Sequence, residues 1–312
     1  MDKEHYQPLS ANVMPKFAGL TTFMRLPYIT EYKSLDVCFV GVPFDMGASY
    51  RVGARFGPRQ IRAESCPIRP YNMATRAAPF DEISVGDIGD INIIPYNPAR
   101  SIKMIEEQFD DIVTAGCMPI SMGGGHTISL PILRSIAKKL GPVGLIHVDA
   151  HSDINDEMCG EKVAHGTPFR RAYEENLIDP SRVVQIGLRG TGYSAEDFDW
   201  SRQTGFRVVQ AEDCWHKSLT PLMQEVRDQM GDVPVYLSFD IDCLDPHIAP
   251  GTGTLEIGGL STIQALEIIR GSSGINLIGC DLVEVSPPYD PAGTTATIAA
   301  QLLFEMLCVV PR

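Results

Sequence analysis

Residues 143–156 read VGLIHVDAHSDIND. An apolar run of strand length passes directly into two histidines and three aspartates. Such a run, apolar throughout rather than alternating, is how a parallel strand covered on both faces reads. In sheets built from such strands, ligands sit beyond the C-terminal strand ends. The stretch therefore predicts a fold and a place for chemistry together. On an extended chain, residues two apart point to one side. Asp149, His151 and Asp153 are thus expected to aim at a common point. His147 shares their parity but lies deeper in the run, and is expected to be a buried, hydrogen-bonded histidine rather than a ligand.

The same pattern recurs outward from this stretch. Residues 37–42, 118–122, 183–188, 206–209, 235–239 and 277–283 are further strand candidates. Helical periodicity fills the gaps. Residues 99–115 place Ile102, Ile105, Phe109 and Ile112 on one face, and 129–140, 222–230 and 263–269 look similar. Strand and helix in alternation predict a doubly wound α/β fold. The first 35 residues read as an irregular N-terminal arm, and 36–312 as a single catalytic domain with no linker, repeat or low-complexity segment.

A 44% hydrophobic fraction in 312 residues suffices for a sizeable core. No apolar run reaches the roughly 18 residues of a membrane span, and the first ten residues are polar. A cytoplasmic protein with no membrane partner is expected. The net charge of −13 disfavours nucleic acid as a partner, because phosphate backbones would be repelled. It is compatible with a cationic substrate, with metal ions, or with solubility alone. The eight cysteines form no CxxC pair and read as buried thiols of a reducing compartment.

Chemistry clusters after four apolar runs. His126 lies in GGGHTIS, Asp149 to Asp153 in DAHSD, Asp240 and Asp242 in SFDIDCLDP, and Glu284 in VEVSPP. Asp245, before Pro246, reads as holding a turn. Clustered carboxylates repel one another unless cations neutralise them. His126, Asp149, His151, Asp153, Asp240 and Asp242 exceed what one tetrahedral zinc needs. They suit two ions that share carboxylates, and an oxygen-rich set favours manganese. Two ions roughly 3.5–4 Å apart can share and deprotonate one water.

GVPFDMG, GARFGPRQIR, GGGHTISLP, DAHSDIN, AHGTPFRRA, SFDIDCLDP, APGTGTLEIGG and DLVEVSPPYD together resemble the ureohydrolases, a family that includes arginase, agmatinase, guanidinobutyrase and guanidinopropionase. The resemblance covers nearly the whole chain. It implies an arginase-like three-layer α/β/α fold with a mainly parallel sheet and a binuclear Mn²⁺ site, Ni²⁺ being the alternative. By position it implies that His126 and Asp153 complete one ion, His151 and Asp242 the other, while Asp149 and Asp240 bridge. A metal-bridging hydroxide, oriented by Asp153, would attack the guanidinium carbon and release urea. Glu284 would hold the guanidinium, His165 would pass a proton to the leaving amine, and Asn155 would contact the far end of the substrate. A homo-oligomer, trimer or hexamer, is implied too. The family usually carries GGDH where this chain has Gly125 before His126. That departure leaves open an altered metal preference, or a low-activity subunit partnering an active paralogue.

Residues 154–164, INDEMCGEKVA, form the expected mouth loop. Met158 and Lys162 are its candidate tail contacts, Lys162 either pairing with a tail carboxylate or remaining solvated. Asp156, Glu157 and Glu161 would welcome the second positive charge of agmatine. The motif wording leans toward 4-guanidinobutyrate, with agmatine, an alkylguanidine or a biguanide as alternatives. A one-zinc, deacetylase-like hydrolase is disfavoured by the number of acidic ligands. Asp240→Ala is expected to abolish urea release while circular dichroism shows a folded chain; full activity would overturn the two-metal assignment.

Overall fold

The structure, a computed structural model, describes residues 4–194 and 197–311. Among them eight strands pair side by side: β1 (Val37–Val42), β2 (Val85–Asp90), β3 (Met118–Gly123), β4 (Val143–Val148), β5 (Ile178–Leu188), β6 (Arg207–Gln210), β7 (Val235–Asp240) and β8 (Leu277–Val283). The order is β2-β1-β3-β8-β7-β4-β5-β6, and every neighbouring pair is parallel. The four strands whose ends carry the candidate ligands and Glu284, namely β3, β8, β7 and β4, are therefore consecutive at the centre of the sheet. Residues separated by some 160 positions meet there because the crossovers are right for a parallel sheet, not because they are close in the chain.

Ten helices cover both faces: α1 (Gly57–Ser65), α2 (Pro79–Glu82), α3 (Pro98–Thr114), α4 (Ser129–Leu140), α5 (Pro168–Glu174), α6 (Asp199–Gln203), α7 (Ala211–Cys214), α8 (Thr220–Met230), α9 (Thr262–Gly271) and α10 (Thr294–Cys308). Strand side chains alternate between two cores. Phe39, Ile146 and Val148 face the core shared with α1, α8, α9 and α10, whereas Val40, Val143 and Leu145 face that shared with α3, α4 and α5. The result is the expected three-layer α/β/α arrangement. Helix α3 starts where Asn97 accepts a hydrogen bond from the Arg100 amide and Pro98 opens the first turn. Its predicted apolar face, Ile102 to Ile112, is buried.

Seven elements were not read from the sequence: β2, the short helices α2, α5, α6 and α7, and the helices α1 and α10. Strand β2, VGDIGD, is a sheet-edge strand whose apolar run is broken by Asp87 and two glycines. Helix α1 has few apolar residues, and α10 is so apolar that it shows no amphipathic stripe, as expected of a helix buried on most sides. No helix among the described residues is long and apolar enough to cross a membrane. Six of the eight cysteines are buried, and all eight are free thiols.

Within the expected arm, Phe23, Met24, Leu26 and Leu35 are buried, and the Phe23 ring stacks on Phe39 at 3.9 Å. The anchor is Asp87, fully buried on β2. It accepts from the Phe23 amide at 2.7 Å, from Arg62 Nε at 2.8 Å and Nη2 at 3.0 Å, and from the Gly89 amide at 2.9 Å. Removing one partner of a buried ion pair strands the other charge. Asp87→Ala is expected to destabilise the fold by about 3–5 kcal/mol, read as a shifted urea midpoint.

Candidate functional site

His126 follows β3 and opens a short 3₁₀ turn. Its Nδ1 lies 3.0 Å from Asp149 Oδ2, 3.0 Å from Asp153 Oδ2 and 3.2 Å from Asp240 Oδ2. His151 Nδ1 lies 3.1 Å from Asp242 Oδ2 and 3.4 Å from Asp149 Oδ1. All six predicted ligands thus come together, and Asp149 touches both imidazoles through different oxygens. Five of the six are buried; His151 is partly open.

The donor set fits metal ions on a direct observation. His126 Nε2 is 2.8 Å from the Ser238 hydroxyl, which itself donates to Asp281 Oδ1 at 2.7 Å. Ser238 must therefore accept from His126 Nε2–H, leaving the Nδ1 lone pair of a neutral ring aimed at three carboxylate oxygens. That buried Nδ1 makes no hydrogen bond. Lone pairs facing lone pairs out of water repel unless a cation sits among them. The titration directions show the same demand for positive charge. Burial opposes charge on His126, yet Asp149, Asp153 and Asp240 outweigh it and raise its pKa well above the usual histidine range, so that without a metal ion a proton takes the place at Nδ1 that a cation would fill. Burial, with Asp242 and Asp149 adding repulsion, pushes Asp240 well above the usual carboxylate range.

His147 is not a ligand in this geometry. Its Nδ1 accepts from Gln185 Nε2 at 3.0 Å, so Nε2–H donates to Asp149 Oδ2 at 2.8 Å. Gln185 Nε2 also donates to the Ser152 carbonyl at 2.8 Å, which settles the orientation of the amide, and its Oε1 accepts from Ser201 at 2.7 Å. The buried hydrogen-bonded role expected for His147 is the observed one.

Sequence reasoning missed the groups that orient the ligands. Asp281, fully buried on β8, accepts from Ser129 at 2.6 Å, Tyr236 at 2.8 Å and Ser238. Arg189, after β5, donates to the carbonyls of Asp242, Cys243 and Leu244 and across to Glu256. It thereby clamps the loop that carries Asp242. Signals were available. Ser238 lies two residues before Asp240 on the same strand face, and Gln185 and Asp281 are polar intrusions in apolar runs. Asp245 lies outside the cluster and holds a turn as expected, accepting from the Gly258 and Gly259 amides at 2.8 and 3.1 Å.

Glu284 follows β8 with φ 64°, and Asp153 has φ 51°. Left-handed backbone at non-glycine residues costs about 1–3 kcal/mol each and concentrates at functional sites. Glu284 Oε1 accepts from the His126 amide at 2.8 Å, and burial pushes its carboxyl up to about 8. His165 Nδ1 stands 3.8 Å from Glu284 Oε1, while Nε2 meets the Ser49 hydroxyl at 2.8 Å. Burial lowers the His165 pKa. Gly125 has φ −72°, open to any residue, and a Cβ there would stand 3.2 Å from Glu284 Oε1. Ser238 and Glu284 orient His126 without help from position 125.

A cavity of about 580 Å³ opens over the cluster, with Glu284, His165, Asn155 and Met158 in its wall. Asn155 Nδ2 donates to the Gly166 carbonyl at 3.1 Å, tying the mouth loop back on itself. Lys162 is outside this wall, with Nζ 2.6 Å from Asp156 Oδ2 and 3.8 Å from Glu157. Arg171 Nη2 meets the other Asp156 oxygen at 2.7 Å. Of the mouth-loop acids expected to attract agmatine, Asp156 is thus paired with two of the chain's own cations and Glu157 shares Lys162. Ser238→Ala is expected to weaken divalent-metal affinity about 10–100-fold, read by chelator competition, with the fold intact.

Comparisons with known proteins agree with this geometry. The family model described as "Arginase family" matches residues 35–308. The guanidinobutyrase of Pseudomonas aeruginosa is 64% identical over 314 residues, covering 100% of this chain and 98% of that protein. The mitochondrial agmatinase of Gallus gallus is 58% identical over 304 residues, 97% of this chain and 89% of that protein. The solved proclavaminate amidino hydrolase of Streptomyces clavuligerus superposes with a TM-score of 0.89 at 38% identity, covering 95% of this chain and 99% of that one. A central parallel sheet, six converging candidate ligands and full-length similarity lead to one assignment: the chain belongs to the arginase family.

Proposed function

We propose that this chain hydrolyses 4-guanidinobutyrate to urea and 4-aminobutyrate with two divalent ions, Mn²⁺ first and Ni²⁺ as the alternative. The observation that carries the reading is the unpartnered His126 Nδ1 among three carboxylate oxygens, beside a buried Glu284. Similarity to the guanidinobutyrase supports the choice of tail. Similarity to the agmatinase favours agmatine as the second reading, against which stands the pairing of Asp156 in the mouth loop with Lys162 and Arg171.

His126 and Asp153 would hold one ion, His151 and Asp242 the other, with Asp149 and Asp240 between them. When bound, such a pair lowers the pKa of a shared water to near neutrality. Asp153 orients the attacking water. Glu284, partly relieved of its charge by burial, regains it when a guanidinium arrives and accepts the N–H groups. That contact places the guanidinium carbon over the cluster. His165, kept neutral by burial, is poised to take up a proton at Nδ1 and deliver it to the leaving amine, while Ser49 anchors its Nε2. Asn155 and Met158 contact the chain of the substrate. The proposed setting is the cytoplasm, where eight free thiols stay reduced, and the proposed assembly is a homo-oligomer.

Urea release from 4-guanidinobutyrate, agmatine, arginine, 3-guanidinopropionate and a biguanide, each with Mn²⁺ and with Ni²⁺, tests the reading. The largest kcat/KM is expected with 4-guanidinobutyrate. Silence across the panel with metal bound would overturn it. His165→Ala is expected to lower kcat by about 10²–10⁴-fold at unaltered metal content, measured by metal analysis; loss of metal would make His165 a ligand instead.

A further inference from the structure

Helix α5 begins at Pro168, directly after AHGT, and so brings two arginines to the mouth of the cavity. Their surroundings differ. Arg171 is committed to Asp156 at 2.7 Å and to Glu174 at 2.9 Å. Arg170 lies with its guanidinium carbon 4.3 Å from the centre of the Trp200 ring. Both Arg170 and Trp200 line the cavity that holds Glu284, Asn155 and Met158. A guanidinium over an aromatic ring at this distance is held by a cation–π contact that leaves its N–H donors available in its own plane. Arg170 Nε uses one edge, on Glu174 Oε1 at 2.6 Å. Among the described residues its Nη groups have no hydrogen-bond partner. Glu174 in turn is shared between two guanidiniums.

The other charged groups of the wall are occupied. Arg189 is saturated by backbone carbonyls. Asp156 is paired with Lys162 and Arg171. Asp197 accepts from the Tyr193 and Ser194 amides at 2.6 and 3.0 Å. The cavity therefore offers its metal and guanidinium chemistry at one end and a preorganised cation with free donors in its wall.

We infer that Arg170, positioned over the Trp200 ring, reads the tail carboxylate of the substrate and makes the site selective for guanidino acids over cationic or neutral tails. Lys162, the sequence candidate for this role, is spent on its own loop. The inference rests on the proposed function, since it presumes that the guanidinium end is held by Glu284. A planar guanidinium matches a carboxylate with two parallel N–H donors, which an ammonium does not.

The test uses the full-length, metal-loaded protein and three substrates of matched chain: 4-guanidinobutyrate, butylguanidine, whose tail is uncharged, and agmatine. In Arg170→Gln the kcat/KM ratio of 4-guanidinobutyrate to butylguanidine is expected to fall about tenfold or more, through KM rather than kcat. The ratio of agmatine to butylguanidine is expected to rise. Arg170→Lys should lose part of the selectivity, and Trp200→Leu should move it in the same direction with Arg170 intact. Thermal midpoints check folding. A second readout needs no turnover: tryptophan emission of the metal-free protein is expected to respond to 4-guanidinobutyrate in the wild type and not in Arg170→Gln. Wild-type turnover of 4-guanidinobutyrate with unaltered ratios in Arg170→Gln and Trp200→Leu would overturn the role of Arg170 and leave the proposed function standing. Turnover of agmatine but of no guanidino acid would overturn both.

Discussion

Four carboxylates and two imidazoles crowd one nearly closed site, with Asp149 and Asp240 fully or almost fully buried. Like charges held this closely out of water push apart, and the cost falls only when positive charge enters among them. Much of the surrounding structure exists to hold that arrangement. The buried Asp281 turns Ser238, Ser238 turns His126, and Gln185 turns His147 toward Asp149. Arg189 pins the loop that delivers Asp242. Each of these groups acts by deciding which lone pair faces the centre.

The same constraint explains where strain is tolerated. Asp153, five residues beyond β4, and Glu284, directly after β8, adopt left-handed backbone beside the site. Asp45 does comparable work without strain. Its buried carboxylate accepts from the Gly53 and Arg55 amides and from Arg55 Nε, closing the loop that presents Ser49 to His165. GVPFDMG and GARFG, quoted from the sequence only as motifs, are the two halves of that closure.

Gly125 shows how a departure from a family pattern can be weighed by geometry. Its neighbour His126 is oriented through the ring by Ser238 and through the backbone by Glu284. A side chain at 125 would instead press on Glu284, with Cβ at 3.2 Å from its oxygen. The glycine thus bears on Glu284, the proposed guanidinium contact, more than on the orientation of the His126 ring.

The sequence by itself determined the strands, because buried parallel strands write uninterrupted apolar runs. It also pointed to the stretches that carry the candidate ligands, because they follow apolar strand runs; the expected i, i+2 alignment on an extended chain is not what joins them, since Asp149 to Asp153 lie beyond β4, Asp153 has left-handed backbone and Asp242 sits in a 3₁₀ turn. Seven of the eight strands were legible as apolar runs, and β2 was not, since an edge strand need not be apolar. What only the tertiary structure decided is adjacency. No local pattern says that β3, β8, β7 and β4 are neighbours, so none could pair Ser238 with His126 or Gln185 with His147. Nor could one tell Lys162 from Arg170. Both are basic residues near the same loop; Lys162 meets the carboxylates of its own loop, whereas Arg170, paired at one edge with Glu174, also lies over the Trp200 ring supplied by a distant segment.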